Sequence, residues 1–154
     1  MIRASVIGLL LGTTAAPSGG TPDRLTAQTA LVAITATKVY PNKAPESPAV
    51  QPPYITVRRS SNRHLMVLSG TEGSAAPRLL ITAHHLTANA CDALADLIRQ
   101  LLNGYATPSW QSATPRIKGM FLEDDGDDWD ADIYGGELGV HTVQMTFKVW
   151  HTET

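Results

Sequence analysis

The sequence predicts a single α+β domain, with about five short strands in a mainly antiparallel sheet and helices packed on one face. Three observations predict it. Near the C-terminus Val143, Met145, Phe147 and Val149 alternate with Thr142, Gln144, Thr146, Lys148 and Trp150, which gives a strand one apolar and one mostly polar face. Ala90, Leu94, Leu97, Ile98 and Leu101 recur at helical spacing along one face. The strand-like segments also come in runs instead of alternating one by one with helices. A length of 154 residues suits one ordinary domain with one core. Its 43% hydrophobic and 17% charged residues are a globular composition.

Taken in order, residues 2–11 (Ile-Arg-Ala-Ser-Val-Ile-Gly-Leu-Leu-Leu) read as an apolar helix, stopped by Gly12 and the Pro17, Gly19, Gly20, Pro22 cluster. The segment imitates a signal peptide, with a basic residue, an apolar run and small residues after it. The run falls short of the roughly 20 residues a membrane span needs. It is read as a helix that docks on the domain or on a neighbouring copy. A second helix starts at Asp23, with Leu25, Thr29 and Val32 on one face, which completes an N-terminal helical region over 1–37. Lys38, Val39 and Tyr40 form a short extended piece. Prolines at 41, 45, 48, 52 and 53 then forbid regular helix and mark 41–53 as a loop or arm.

The sheet and main helix occupy 54–154. Residues 54–59 read as a strand, with Ile55 and Val57 on one face and Tyr54, Thr56 and Arg58 on the other. Ser60, Ser61 and Asn62 supply turn chemistry, and residues 64–68 read as the return strand of a hairpin. Residues 69–74 read as loop. Residues 78–84 form a strand with Leu79, Ile81 and Ala83 on one side. The main helix follows, with Thr87 or Asn89 as cap, Asp92 and Asp96 on its flank, and Gly104 suited to the position just beyond its end. A strand over 116–122 runs into an acidic loop spanning 123–139, and the last strand closes the sheet.

That acidic segment dominates the charge pattern. Glu123, Asp124, Asp125, Asp127, Asp128, Asp130 and Asp132 are seven of the chain's fourteen acids. Arg58, Arg59, Arg63 and Arg78 cluster upstream, so a net charge of −2 hides strong polarity along the chain. Such polarity suits a protein that meets others through complementary faces. An EF-hand needs Gly at its sixth position and carboxylates at the first, third and fifth. Placing Gly126 sixth puts Phe121 first, and starting at Asp128 puts Ile133 sixth, so both registers fail. Acid/base work needs carboxyls on separate walls of a cleft with one pKa raised by burial, which a contiguous polar loop does not supply. The acids are read as a solvated or partner-facing loop.

Other chemistry finds little support. His84 and His85 are adjacent at a strand end, and His141 and His151 lie ten residues apart on the last strand, about 33 Å at strand rise. There is no His-Glu-x-x-His, Cys-x-x-Cys or Gly-x-Ser-x-Gly pattern and no phosphate-cradling Gly-rich loop. The lone Cys91 sits inside the helical pattern and reads as a small buried apolar residue. Arg58, Arg59 and Arg63, near an expected hairpin tip, can touch phosphates, but no aromatic platform interleaves with them, and a solvated end or a protein interface is the better reading. The chain is read as non-enzymatic, with neither cofactor nor metal site.

The order of parts resembles the tail-terminator (tail-completion) proteins of long-tailed, non-contractile bacteriophages and related tail-like particles. The matching pieces are the N-terminal apolar helix, Lys38-Val-Tyr-Pro-Asn-Lys-Ala-Pro45 and Pro53-Tyr-Ile-Thr-Val57. They continue with the amphipathic helix over 90–102, Gly119-Met-Phe-Leu-Glu-Asp-Asp125, and the strand over 143–150 followed by His151. The stretch over 12–37 is longer and richer in Thr and Ala than the family pattern, and the acidic loop is richer in Asp. The resemblance implies a ring, expected to be a hexamer, that caps the head-proximal end of the tail tube, ends tube polymerisation and joins tail to head. The implied partners are other copies of the chain, the major tail tube protein and a head-completion or connector protein. DNA would pass through the lumen without sequence-specific binding, and no membrane is involved. The implied location is the head–tail junction of a virion assembled in the host cytoplasm. Glu123, Asp124, Asp125, Asp127, Asp128, Asp130 and Asp132, with Arg58, Arg59 and Arg63, are the expected partner- or lumen-facing residues. A second hypothesis, from the signal-like N-terminus and the Asp cluster, is an exported calcium-binding β-rich module.

Overall fold

The computed structural model describes residues 2–18, 23–45, 52–61, 64–67, 70–112, 115–130 and 140–152. Three helices, α1 (Ile2–Leu11), α2 (Arg24–Thr35) and α3 (Ala88–Leu102), lie on one face of a single mixed sheet. Its strands are β1 (Val39–Pro41), β2 (Tyr54–Ser61), β3 (His64–Val67), β4 (Gly70–Ala75), β5 (Arg78–His85), β6 (Ile117–Asp130) and β7 (Val140–Thr152). The α+β class and the mainly antiparallel sheet are as expected, since β1–β2 is the single parallel pair among the described strands. The strand count rises from about five to seven because two short segments join the sheet. One is the extended piece around Tyr40 (β1). The other, β4, was expected to be loop.

The chain's first expected hairpin is built differently. No turn forms at Ser60 and Ser61, and β3 does not return along β2. Instead β2 pairs with β5, from Tyr54↔His84 to Ser61↔Arg78, and the same register offset pairs His64 with Ala75 in β3 and β4. Thus β2–β3 and β4–β5 run as two long antiparallel legs, paired as far as Val67↔Gly70. The serines serve a β-bulge between Arg59 and Ser61, where an extra residue kinks the strand without reversing it.

The strand β7 is the sheet's centre. Along one side it pairs with β5 (Arg78↔Lys148 to His85↔His141) and, near its end, with β4 (Ala75↔His151). Along the other it pairs with β6 from Ile117↔His151 to Asp130↔Val140. Alternation decides what is buried: Ile55, Val57, Leu79, Ile81, Ala83, Val143, Met145, Phe147, Val149 and Met120 all point to the helix side and join one core. Helix α3 covers β5, β6 and β7 with Cys91, Leu94, Ala95, Ile98, Leu101 and Leu102. Helix α1 covers β1 and β2 with Ile2, Val6, Leu9 and Leu10, so the apolar N-terminal helix docks on its own domain. Helix α2 lies against α3 and α1. No described helix is long and apolar enough to cross a membrane.

The ends of these helices are set by local chemistry. Asp23 caps α2 by accepting from the N–H groups of Leu25 and Thr26 at 3.1 and 3.3 Å, and Thr87 caps α3 through Ala90 N–H at 3.2 Å. Gly12 and Gly104 end α1 and α3 with φ of +77° and +76°, a left-handed turn that a side chain opposes. The buried face of α2 is not the expected one. Ala27, Gln28, Leu31 and Thr35 point inward, while Leu25 and Thr29 are exposed and Val32 is half-buried. A polar Gln on the inner face and an apolar Leu on the outer one disguised the register.

Candidate functional site

The acidic segment expected to be a loop is strand through Asp130. Twelve register pairs tie β6 to β7, so the carboxylates over 123–130 stand along an edge strand. The cause is the partner: the alternating residues of β7 offer a complete hydrogen-bonding edge, and a bulge between Leu122 and Asp124 shifts the acids into register with it. Among the described strands β6 pairs with β7 alone; residues 103–107 bond its other edge at Ile117, Met120 and Leu122, and among the described residues that edge is open only along the acidic half, 123–130. Asp128 and Asp130 belong to this strand by backbone position. Asp132 and Arg63 fall outside the described residues.

Two of the acids are held from within the domain. Arg78, on β5, donates through Nε and Nη2 to Glu123 at 2.6 and 3.3 Å. This charge-assisted fork holds the Glu123 carboxyl below its ordinary range and raises the Arg78 guanidinium above its own. Asp125, on the helix side, accepts from Arg99 Nη2 at 2.7 Å, and the same guanidinium reaches Asp96. The acidic strand is thereby tied to β5 on one face of the sheet and to α3 on the other. Asp124 and Asp127 are exposed, with no hydrogen bond or ion pair among the described residues.

At the opposite edge of the sheet stand Arg58 and Arg59, exposed on β2 and likewise without a side-chain partner among the described residues. They sit in the strand where the sequence placed them, but that strand runs on through Ser61 instead of turning after Arg59. Arg59 and Arg3 flank a groove of about 370 Å³ floored by Ile2, Ala4, Ile7 and Pro41. Arg3 donates to Asn42 Oδ1 at 2.9 Å. The two charge clusters that the sequence separates by about sixty residues thus lie on opposite sides of the sheet, acidic at β6 and basic at β1–β2.

The fold has a counterpart among solved structures. It is similar to a chain titled "Virion of native gene transfer agent (GTA) particle", with a TM-score of 0.62 and 14% sequence identity. The likeness covers 84% of this chain and 89% of that one. At that identity it shows the fold alone. No family model matches the sequence, and no curated protein does.

The remaining chemistry-bearing side chains are structural. Cys91 is buried under β5 and β7, donates weakly to the Ala83 and His141 carbonyls at 3.5 and 3.4 Å, and is pushed up to about 11, mainly by burial. His84 stacks on Tyr54 with ring centroids 4.2 Å apart and meets Thr56 Oγ1 at 3.3 Å. Burial lowers its pKa to about 4. Asp92, Asp127 and His141 line one depression with Cys91, yet no three His, Cys, Asp or Glu side chains among the described residues converge to hold a metal ion.

Two features escaped sequence reasoning. Arg116 donates to the carbonyls of Gln111, Thr107 and Pro108 at 2.8, 3.2 and 3.0 Å. It fixes a loop on which Trp110 stands 71% exposed, and only the isolated Trp hinted at it. Phe121 is 52% exposed on β6, beside Lys148 on β7, whose Nζ lies 4.8 Å over the Trp150 ring. The alternation of β7 marked Trp150 as outward-facing but said nothing of its neighbours.

Proposed function

We propose that this chain is a structural virion protein, and specifically the tail-terminator subunit of a long-tailed phage or tail-like particle. It forms a ring, taken as a hexamer, on the head-proximal end of the tail tube. There it stops addition of tube subunits and offers its other face to a head-completion protein, while DNA passes through the lumen. It works at the head–tail junction, after assembly in the host cytoplasm, and by recognition instead of catalysis. The observation that carries this reading is the fold shared over most of both chains with a subunit of a gene transfer agent virion. The order of sequence segments that resembles tail terminators supports it independently.

The described surface suits such a role. It is divided into an acidic strand edge, a basic edge and an exposed Trp110, the kinds of groups that make specific protein contacts. The exported calcium-binding alternative has less to stand on. Glu123 and Asp125 are engaged by arginines on opposite faces of a strand, so they do not gather round one point. In α1, Val6, Leu9 and Leu10 belong to the core, and removing that helix would bare the apolar residues beneath it.

The test is assembly with the major tail tube protein of the particle to which this chain is assigned. Purified protein added to polymerising tube subunits should shorten the tubes and appear as a ring at one end by electron microscopy. Tubes of unchanged length, with no end-bound density at saturating protein, refute the proposal.

A further inference from the structure

We infer that copies of this chain join head to tail, the acidic free edge of β6 in one copy lying against the arginine-lined groove and open β2 edge of the next. The inference rests on the ring-forming reading above and names the contact that builds the ring. Four observations carry it. Among the described strands β6 pairs with β7 alone; the segment over 103–107 bonds its outer edge at Ile117, Met120 and Leu122, and beyond Leu122 the backbone donors and acceptors of the acidic half, residues 123–130, have no partner on that edge among the described residues. Of its described exposed acids, Glu123 and Asp125 are neutralised within the chain, but Asp124 and Asp127 are not.

At the far side, β1 ends with Pro41 opposite Val57, so residues 58–61 of β2 pair with β5 alone. Among the described residues that is a second open edge, and Arg58 and Arg59 stand on it with no described acid to compensate their charge. The groove beside it adds Arg3 and an apolar floor, which supplies buried area as well as sign.

The charges decide the geometry of association. An acidic edge facing its own copy would be repelled, as would a basic one, so a two-fold contact through either edge is disfavoured. Acidic edge to basic edge is attractive, and the two patches differ. Such a contact is heterologous: every copy both offers and receives, and the chain of copies closes when its rotation completes a circle. The β6 backbone edge and the residue 58–61 edge can pair across the joint while Asp124 and Asp127 face Arg58, Arg59 and Arg3.

Charge exchange tests it on the purified full chain by native mass spectrometry and sedimentation. The wild type should be oligomeric. Asp124→Lys with Asp127→Lys, and separately Arg58→Glu with Arg59→Glu, should each weaken association by at least about tenfold. Mixing the two variants should restore oligomers in which they alternate, because each then meets an opposite charge on both sides. Circular dichroism identifies variants that fail to fold. For those, Asp124→Asn with Asp127→Asn and Arg59→Gln replace the reversals, and the wild-type oligomer should loosen as salt rises to about 1 M.

A wild-type monomer at high concentration overturns the inference. So do folded reversals that associate normally, folded reversals that mixing does not rescue, neutral variants that associate as tightly as the wild type, and an acidic segment of another protein filling the groove of the intact oligomer. An oligomer that obeys the charge exchange but leaves tubes uncapped keeps the contact and removes the tail-terminator reading. Capping by an oligomer indifferent to these charges does the reverse.

Discussion

At the scale of single residues, Gln28 is the clearest determinant of stability. It is buried on α2, accepts from Ala16 N–H at 2.9 Å, and donates to the carbonyls of Leu9 and Thr14 at 2.8 and 2.7 Å. One side chain thus satisfies the end of α1 and the turn that leaves it. Gln28→Leu keeps most of the volume and strands three backbone groups, so it should cost about 3 kcal/mol, read as a lower urea midpoint at unchanged slope. His84 makes stability depend on pH. Its folded value of about 4 lies below the ordinary 6.5, so the unfolded chain takes up a proton first as pH falls. Stability should be full above about pH 6.5 and decline by up to about 3 kcal/mol toward pH 4. Melting curves of His84→Phe, which keeps the ring on Tyr54, should lack that decline. Cys91, pushed up to about 11, should react with a thiol reagent only as fast as the protein unfolds, and quickly in urea.

At the scale of elements, the joint between α3 and β6 is where local rules meet the tertiary fold. Gly104 turns the chain at φ +76°, its N–H bonds Met120 O at 2.6 Å, and Asn103 Oδ1 accepts from Leu122 N–H at 3.1 Å. Arg24 of α2 donates to Asn103 O at 2.8 Å, and a methyl on Gly104 would sit 3.1 Å from that guanidinium. Gly104→Ala should therefore cost about 1–2 kcal/mol, measured by chemical denaturation, through left-handed strain and the pushed Arg24. Element by element, the sequence is legible where one period dominates. The alternation of β5 and β7, the stripe of α3 and the apolar run of α1 each state which residues are buried. It is illegible where a partner decides. Nothing in Gly70 to Ala75 marks a strand, because two glycines and small residues give no alternation, and only the register of the opposite leg makes it one. Glu123 to Asp130 read as loop because strands rarely tolerate so many Asp, and β7 overrides that preference. The candidate surface was half legible for the same reason. The residues and their signs were in the sequence, but their separation onto opposite edges is a product of topology.

At the scale of the whole molecule, the charge distribution is bipolar although the net charge is only −2. On the inferred joint between copies, the acidic and basic edges would make association sensitive to salt and tolerant of change elsewhere on the surface. Substituting the exposed Trp110 by Ala should leave oligomer mass unchanged. If the chain caps a tube, the same change should weaken the contact with tube or head partner, by at least tenfold when measured by co-sedimentation.

One consequence of the strand order concerns time. The central strand β7 is translated after every other strand of this sheet, yet β5 borrows one edge from it and β6 the other. Until residues 140–152 leave the ribosome, Leu79, Ile81 and Met120 lack the Met145, Phe147 and Val149 layer they pack beside. Nascent chains therefore hold an unfinished sheet ending at β5 and a β6 that has no partner strand until β7 joins the two. A chain cut before Val140 should be degraded by added protease far faster than the longer one, because the apolar layer that β7 covers stays exposed.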